Sequence, residues 1–523
     1  MKKKKLLFIA TLFQFIMIGV CDAQGYKNPV IPGFHPDPSV CRVGSDYYLV
    51  TSTFEYFPGV PVFHSRDLIH WEKIGHCLSR PSQIDLTNCR PSGGIYAPVI
   101  RYHEGVFYMV TTNTGKGNFI VYTDDPRGEW SEPIWLKQGG IDPSLCWVDG
   151  NCYMVSADQG RILLCKINPR TGEQLTDTRH IWSGTGGRFP EAPHIYQKDG
   201  WFYLLLAEGG TQYGHMVTIA RSRNIEGPYQ SNPSNPILTH INEPTKRHPI
   251  QGTGHADLVQ AHDGSWWMVC LAFRPLVLRH HLLGRETFLA PVFWDEGAWP
   301  VVNRTGTIDL DMHVKTLPQH DTKSQSELID FNEDELDLEW NYLRNPVEQN
   351  YSLKAHKGCL RLYPSSISLN DKASPTFIAR RQIYVDGEAS VSVRLCREGR
   401  DMQAGMTVFM NNLHHYDLSL ISEGGKYFVV LTARLGMIDH IVKKVEVPIP
   451  ELELKIVSCA THYTFYYTTS SKDIELGKLD TRYLSSETSG GFTGVYWGLF
   501  ATANKESSSL WADFDWFRYK CIN

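Results

Sequence analysis

One entry pattern recurs five times along the first three hundred residues. It begins at Asp37 (DPSVCRVGSDYYLVTS), Ala97 (APVIRYHEGVFYMVTT), Asp142 (DPSLCWVDGNCYMVSA), Glu191 (EAPHIYQKDGWFYLLLA) and His255 (HADLVQAHDGSWWMVCLA). Each copy is a short apolar run, a turn holding a glycine (Gly44, Gly105, Gly150, Gly200, Gly264), and a second run rich in aromatic and aliphatic residues. That is the signature of a β-hairpin. The copies start 45 to 64 residues apart, and several are followed by further strand-like runs such as PVFHSRDLIHWEKIG and MVTIARSRNIEGPYQ. Four short strands per unit at that period make a propeller blade. The chain is therefore expected to be all-β, with a five-bladed β-propeller over residues 26–315. An irregular all-β domain would have no reason to repeat one entry pattern five times.

Radial repetition has a chemical consequence. Equivalent positions of different blades meet around one axis. Asp37, Asp142 and Glu191 head three of the copies and His255 heads a fourth. Three carboxylates far apart in sequence are thus expected at one mouth of the channel. Asp37 also lies between Pro36 and Pro38, which restrict the backbone on both sides of it.

The pattern then changes. Residues 316–327 are polar and read as a linker. Beyond them, runs such as ASVSVRLCR, YDLSLIS, KYFVVLTAR and WADFDWFRY alternate at period two, which predicts a β-sandwich over residues 328–523. Either a sugar-binding module or a structural clamp on the propeller fits such a domain. The loop SGGFTGVYWG, with Phe492 at its centre, is expected to reach the propeller and cap its site.

The first 23 residues, MKKKKLLFIATLFQFIMIGVCDA, combine a basic start with an apolar run. They read as an export signal cleaved after Ala23, which implies a periplasmic protein. Lipid anchoring through Cys21 is the alternative. No later apolar run is long enough to span a membrane. A net charge of −5 offers no electrostatic reason for a nucleic-acid partner. The twelve cysteines include no CxxC pair and no zinc spacing, and sequence assigns no disulfide.

Three converging carboxylates suit glycoside hydrolysis. One protonated carboxyl donates to the leaving oxygen, and one ionised carboxylate activates water or attacks. A third raises the acid's pKa by like-charge repulsion. Oxygen ligation of a divalent metal is the competing use, but the chain has no dense Asp/Asn/Gly loop of the EF-hand kind.

The residues GFHPDPSV, TSTFEYFPGVPVFHSRDLIHW, GGIYAPVI, GGIDPSL, PEAPHIY, AEGGT, GTGHADLV and GRETF closely resemble glycoside hydrolase family 43, the β-xylosidases and α-L-arabinofuranosidases. GGFTGVYWGLFATAN and ADFDWFRY resemble the accessory sandwich found in many members. The resemblance implies Asp37 as general base, Glu191 as general acid, and Asp142 as the residue that orients Glu191 and raises its pKa. It implies inversion of configuration, with the two working carboxyls roughly 6.5–9.5 Å apart. Phe54 and Tyr96 would wall the sugar pocket, although many relatives carry Trp where Tyr96 stands. Arg285 would bond sugar hydroxyls or balance the acids, and Phe492 would cap the pocket. His255 would lie beneath it; in some relatives this His sits near a central cation, often calcium. No cofactor is otherwise implied.

The activity implied is exo-acting release of terminal α-L-arabinofuranose from plant hemicellulose side chains or cell-wall oligosaccharides. A β-D-xylosidase, or a bifunctional enzyme, is the alternative. A propeller that only binds glycans would have lost one of Asp37, Asp142 or Glu191, and all three are present.

Overall fold

The computed structural model describes residues 25–242, 247–320, 327–396, 401–469, 472–503 and 510–522. The predicted export signal, Cys21 and half of the predicted linker lie outside them. No helix among the described residues is long and apolar enough to cross a membrane.

Five antiparallel blades form the propeller. Their innermost strands are Ser39–Val43, Val99–His103, Ile141–Val148, Glu191–Lys198 and Gln251–Gln260, and each is followed outward by at least three more. The turn glycines of all five entry hairpins have positive φ, between 62° and 88°. A side chain rarely adopts that conformation, so glycine there sets the hairpin register. The ring closes through its N-terminal segment. Tyr26–Lys27 pairs with Asp311–Met312, and the amides of Val30 and Ile31 donate to the Thr287 carbonyl of blade 5.

A buried polar hub ties the innermost strands together below the mouth. The Asp257 carboxylate accepts from Ser39 Oγ at 2.7 Å, Arg101 Nη1 at 2.8 Å and Tyr196 OH at 2.6 Å. Arg101 Nη2 also meets His194 Nδ1 at 2.8 Å. Blades 1, 2, 4 and 5 therefore share one network. Burial alone would raise the pKa of Asp257, but Arg101 beside it holds the carboxyl well below the usual range.

The second domain is a sandwich of two large sheets around one apolar core. One sheet continues into the propeller: Asn341–Leu343 pairs antiparallel with Tyr56–Phe57, with Tyr342 opposite Phe57 and Leu343 opposite Tyr56. Tyr56 stacks on Tyr496 at 4.1 Å, and Phe34 and Phe54 share an apolar cluster with Phe377, Phe409 and Phe500 of the sandwich. The Arg381 Nε donates to the Phe34 carbonyl at 2.7 Å. Fully buried Arg344 donates to the carbonyls of Cys89 and Ala373. The sandwich thus grips the segments that carry Asp37 and Phe54, as a clamp would. Every cysteine among the described residues is a free thiol.

Candidate active site

All eight predicted site residues line one pocket at the propeller mouth. Asp37, Phe54, Tyr96, Asp142, Glu191, His255, Arg285 and Phe492 surround a cavity of about 120 Å³, together with Ala97, Ile141 and Thr211. Pockets for drug-sized ligands are several times larger, so this one holds a single small ring.

The backbone presents the acids by a repeated local device. Asp37, Asp142 and His255 have φ of 54°, 52° and 44°, a region that non-glycine residues seldom occupy. The ladder of each of the strands bearing Asp142, Glu191 and His255 is broken at that point by a register shift. Such a bulge re-aims a side chain. The pairing also refines the sequence equivalence. Ile141 pairs with Ala157 as Glu191 pairs with Ala207, so the register partner of Asp142 in blade 4 is Ala192, whose φ is 52°. Glu191 stands one residue ahead. The two carboxyls reach the pocket from neighbouring rather than identical positions, and the Ala192 amide donates to Asp142 Oδ2 at 3.2 Å.

Each carboxyl has a different environment. Asp37 is buried, accepts from Ser52 Oγ at 2.5 Å and pairs with Arg285 Nη1 at 3.0 Å. His255 Nδ1 lies 3.6 Å from it. Burial alone would raise its pKa; Arg285, His255 and Ser52 outweigh that and lower it. Glu191 goes the other way. Burial first, then the nearby charges of Asp142 and Asp37, push its carboxyl well above the usual range, against a smaller opposing effect of Arg285. Burial also raises Asp142, and the charge of Asp37 adds to this against the opposing pull of His255. The fold therefore favours the ionised form of Asp37 and the protonated form of Glu191 in the same pocket.

The walls come from both domains. Phe54 packs against Tyr96 at 5.2 Å and stacks with Phe492 at 6.0 Å. The Phe492 amide accepts support from Ser92 by donating to its Oγ at 2.8 Å, and its carbonyl accepts from Arg285 Nη2 at 3.2 Å. Arg285 Nη1 also donates to Thr211 Oγ1 at 3.0 Å. Arg285 thus balances the acid cluster and anchors the sandwich loop at once.

His215 escaped the sequence reading because it belongs to no entry repeat. Its Nδ1 lies 3.2 Å from the Gly252 carbonyl, which can only accept, so that nitrogen carries the proton. The bare Nε2 has no hydrogen-bond partner and sits 4.0 Å from Glu191 Oε1. Burial, together with the charge of His255, pushes its pKa down to about 3, so the ring stays neutral. It is an acceptor aimed at the protonated Glu191. A Cβ on Gly254 would come within 2.3 Å of this ring, so only glycine lets the strand approach it. Ser52 and Thr211 were likewise visible only as parts of TSTFEYF and AEGGT.

Asp142, Glu191 and His255 each offer a ligand atom within 4.8 Å of the others. The donors do not suit a resident hard cation. Calcium takes six to eight oxygens, whereas these side chains offer two carboxyls and an imidazole. Deeper in the channel, the Arg101 guanidinium already supplies a positive charge against Asp257.

The pKa directions predict a bell-shaped pH–rate profile. Activity should be lost in acid as Asp37 takes up a proton, below the ordinary carboxyl range. It should be lost in base as Glu191 ionises, well above that range. Removing the neighbouring charge in Asp142→Asn should move the alkaline limb to lower pH, because that charge raises Glu191. An unmoved limb in initial-rate profiles would contradict this coupling.

Comparison with known proteins agrees with this architecture. The model of "Glycosyl hydrolases family 43" matches residues 26–300, and that of "Beta xylosidase C-terminal Concanavalin A-like domain" matches residues 329–520. The chain is 42% identical, over the full length of both proteins, to the non-reducing end alpha-L-arabinofuranosidase BoGH43B of Bacteroides ovatus. It is 36% identical to a xylosidase/arabinosidase of Butyrivibrio fibrisolvens, over 94% of this chain and 98% of that one. The solved structure described as "Bacteroides ovatus Xyloglucan PUL GH43B" superposes with a TM-score of 0.92 at 42% identity, covering 95% of this chain and 100% of the other. A five-bladed propeller with acids at its mouth, clamped by a sandwich and matched by family models over both halves, makes this chain a glycosidase that belongs to glycosyl hydrolase family 43.

Proposed function

We propose that the protein is an exo-acting, inverting α-L-arabinofuranosidase that removes terminal arabinofuranose from plant hemicellulose side chains or oligosaccharides. The observation that carries this reading is the small pocket of about 120 Å³, with three carboxyls inside and Phe54, Tyr96 and Phe492 as walls. A pocket of that size suits a single terminal pentose. The relatives named for arabinofuranosidase and xylosidase/arabinosidase activity support the sugar, and the xyloglucan description of the solved relative supports a hemicellulose source.

In this reading Glu191 donates its proton to the bridging oxygen while Asp37 removes a proton from the attacking water. Asp37 and Glu191 belong to blades 1 and 4, and Asp37 stands outside the tight group of Asp142, Glu191 and His255. Inversion requires room for a water between the base and the sugar, and two carboxyls carried on different blades are compatible with that. Ser52 and Arg285 hold the base in one orientation, which matters because a displaced carboxylate activates the wrong water. Asp142 raises and orients the acid, and the neutral ring of His215 lies beside it.

A β-D-xylosidase is the second reading, favoured by the xylosidase names among the relatives. The two pentoses present similar hydroxyls to one pocket. Hydrolysis of nitrophenyl α-L-arabinofuranoside against nitrophenyl β-D-xyloside decides between them, and no release from either would sink the exo-pentosidase reading. Product analysis on arabinoxylan, xyloglucan and arabinan oligosaccharides should give free pentose only, with the inverted anomer formed first by NMR. The basic and apolar N-terminus supports export of the enzyme to meet such substrates.

A further inference from the structure

The chemistry of the acid decides where a leaving group lies. Glu191 protonates the bridging oxygen, so the departing sugar must stand on the Glu191 side of the pocket. Phe189, two residues ahead of Glu191, is 58% exposed, whereas the wall residue Phe54 is 3% exposed. Its φ is 50°, and a proline follows it. A bulky residue in that conformation is a genuine outlier, and such strain concentrates at functional sites.

The surrounding fold holds this conformation firmly. Fully buried Glu208 accepts from the Thr185 amide at 2.9 Å, Thr185 Oγ1 at 3.0 Å, the Gly187 amide at 3.0 Å and Thr218 Oγ1 at 2.7 Å. The Gly209 amide donates to the Arg188 carbonyl at 2.7 Å. The Phe189 ring rests on Gly210, where an added Cβ would come within 3.1 Å of it. Thr211, the next residue, bonds Arg285 inside the pocket. The Arg188 guanidinium lies 4.9 Å from the ring centroid. An exposed aromatic ring is thus held firmly two residues ahead of the acid, against the glycine that precedes Thr211, with a guanidinium beside it.

We propose that Phe189 and Arg188 form the binding platform for the leaving-group sugar, a pyranose such as the backbone xylose to which the departing pentose is attached. The assignment rests on the exo-pentosidase reading above. The apolar C–H face of a pyranose covers the exposed ring, and the planar fork of Arg188 donates to neighbouring hydroxyls. Phe189 then selects oligosaccharide substrates over glycosides whose leaving group has no ring.

The test is Phe189→Gly, because glycine suits the left-handed backbone and removes only the ring. Its substrates are an arabinofuranosyl-xylobiose and the methyl glycoside of the same pentose, with xylobiose and methyl β-xyloside as the parallel pair. We expect kcat/KM on the oligosaccharide to fall about tenfold or more and that on the methyl glycoside to stay within about twofold. The thermal midpoint should not fall. Phe189→Tyr should restore the oligosaccharide rate. Equal losses on both substrates, or an unchanged oligosaccharide rate, would overturn the platform while leaving the hydrolase reading intact. Failure of the unaltered enzyme to release pentose from either pair would sink both together.

Discussion

Replacing Glu191 by Gln is expected to lower kcat/KM on an arabinofuranosyl oligosaccharide by about 10³-fold, the middle of the range for general acid–base catalysis. An alkoxide leaving group needs its proton, and the amide of glutamine is too weak an acid to give one. A nitrophenolate leaves without that help, so the loss on the nitrophenyl glycoside should be far smaller. The alkaline limb of the pH profile should vanish with the group that causes it. Folding should hardly change, because the raised pKa keeps Glu191 neutral in the native protein and Gln is neutral with the same shape. Equal losses on both substrates, or an alkaline limb that survives, would remove Glu191 from the acid's role.

Asp37→Asn should behave differently. Water must be activated whatever the leaving group, so both substrates should lose about 10³-fold or more in kcat. The acidic limb should disappear. This variant should also be less stable, because Arg285 would remain buried without its carboxylate partner. Breaking one side of a buried pair costs about 3–5 kcal/mol. Circular dichroism on the purified variant separates lost folding from lost chemistry. A folded Asp37→Asn protein with more than a tenth of normal activity would show that another group serves as base.

Both effects trace back to features of unequal visibility. The five hairpins were readable because their signals are local: a glycine in each turn and apolar runs at period two. The convergence of Asp37, Asp142 and Glu191 followed from the repeat, since ring closure brings equivalent positions together. The one-residue offset of Glu191 did not follow. It depends on where each strand bulges, and a bulge is decided by pairing with the next strand, not by residues at the site. His215 lay outside every repeat and shows its role only through the close approach that Gly254 permits. Phe492 could be suspected from its glycine-flanked loop, but its contact with Phe54 rests on the sheet shared through Tyr56–Phe57 and Leu343.

Sequence by itself determined the all-β class, the five blades, the following sandwich and the three acids. Those are consequences of periodicity, turn chemistry and repetition, which act over a few residues at a time. Tertiary structure alone decided which acid is ionised and which is protonated. A pKa depends on burial and on charges brought close in space. Arg285 lies 248 positions from Asp37, and only the closed ring sets their separation at 3.0 Å.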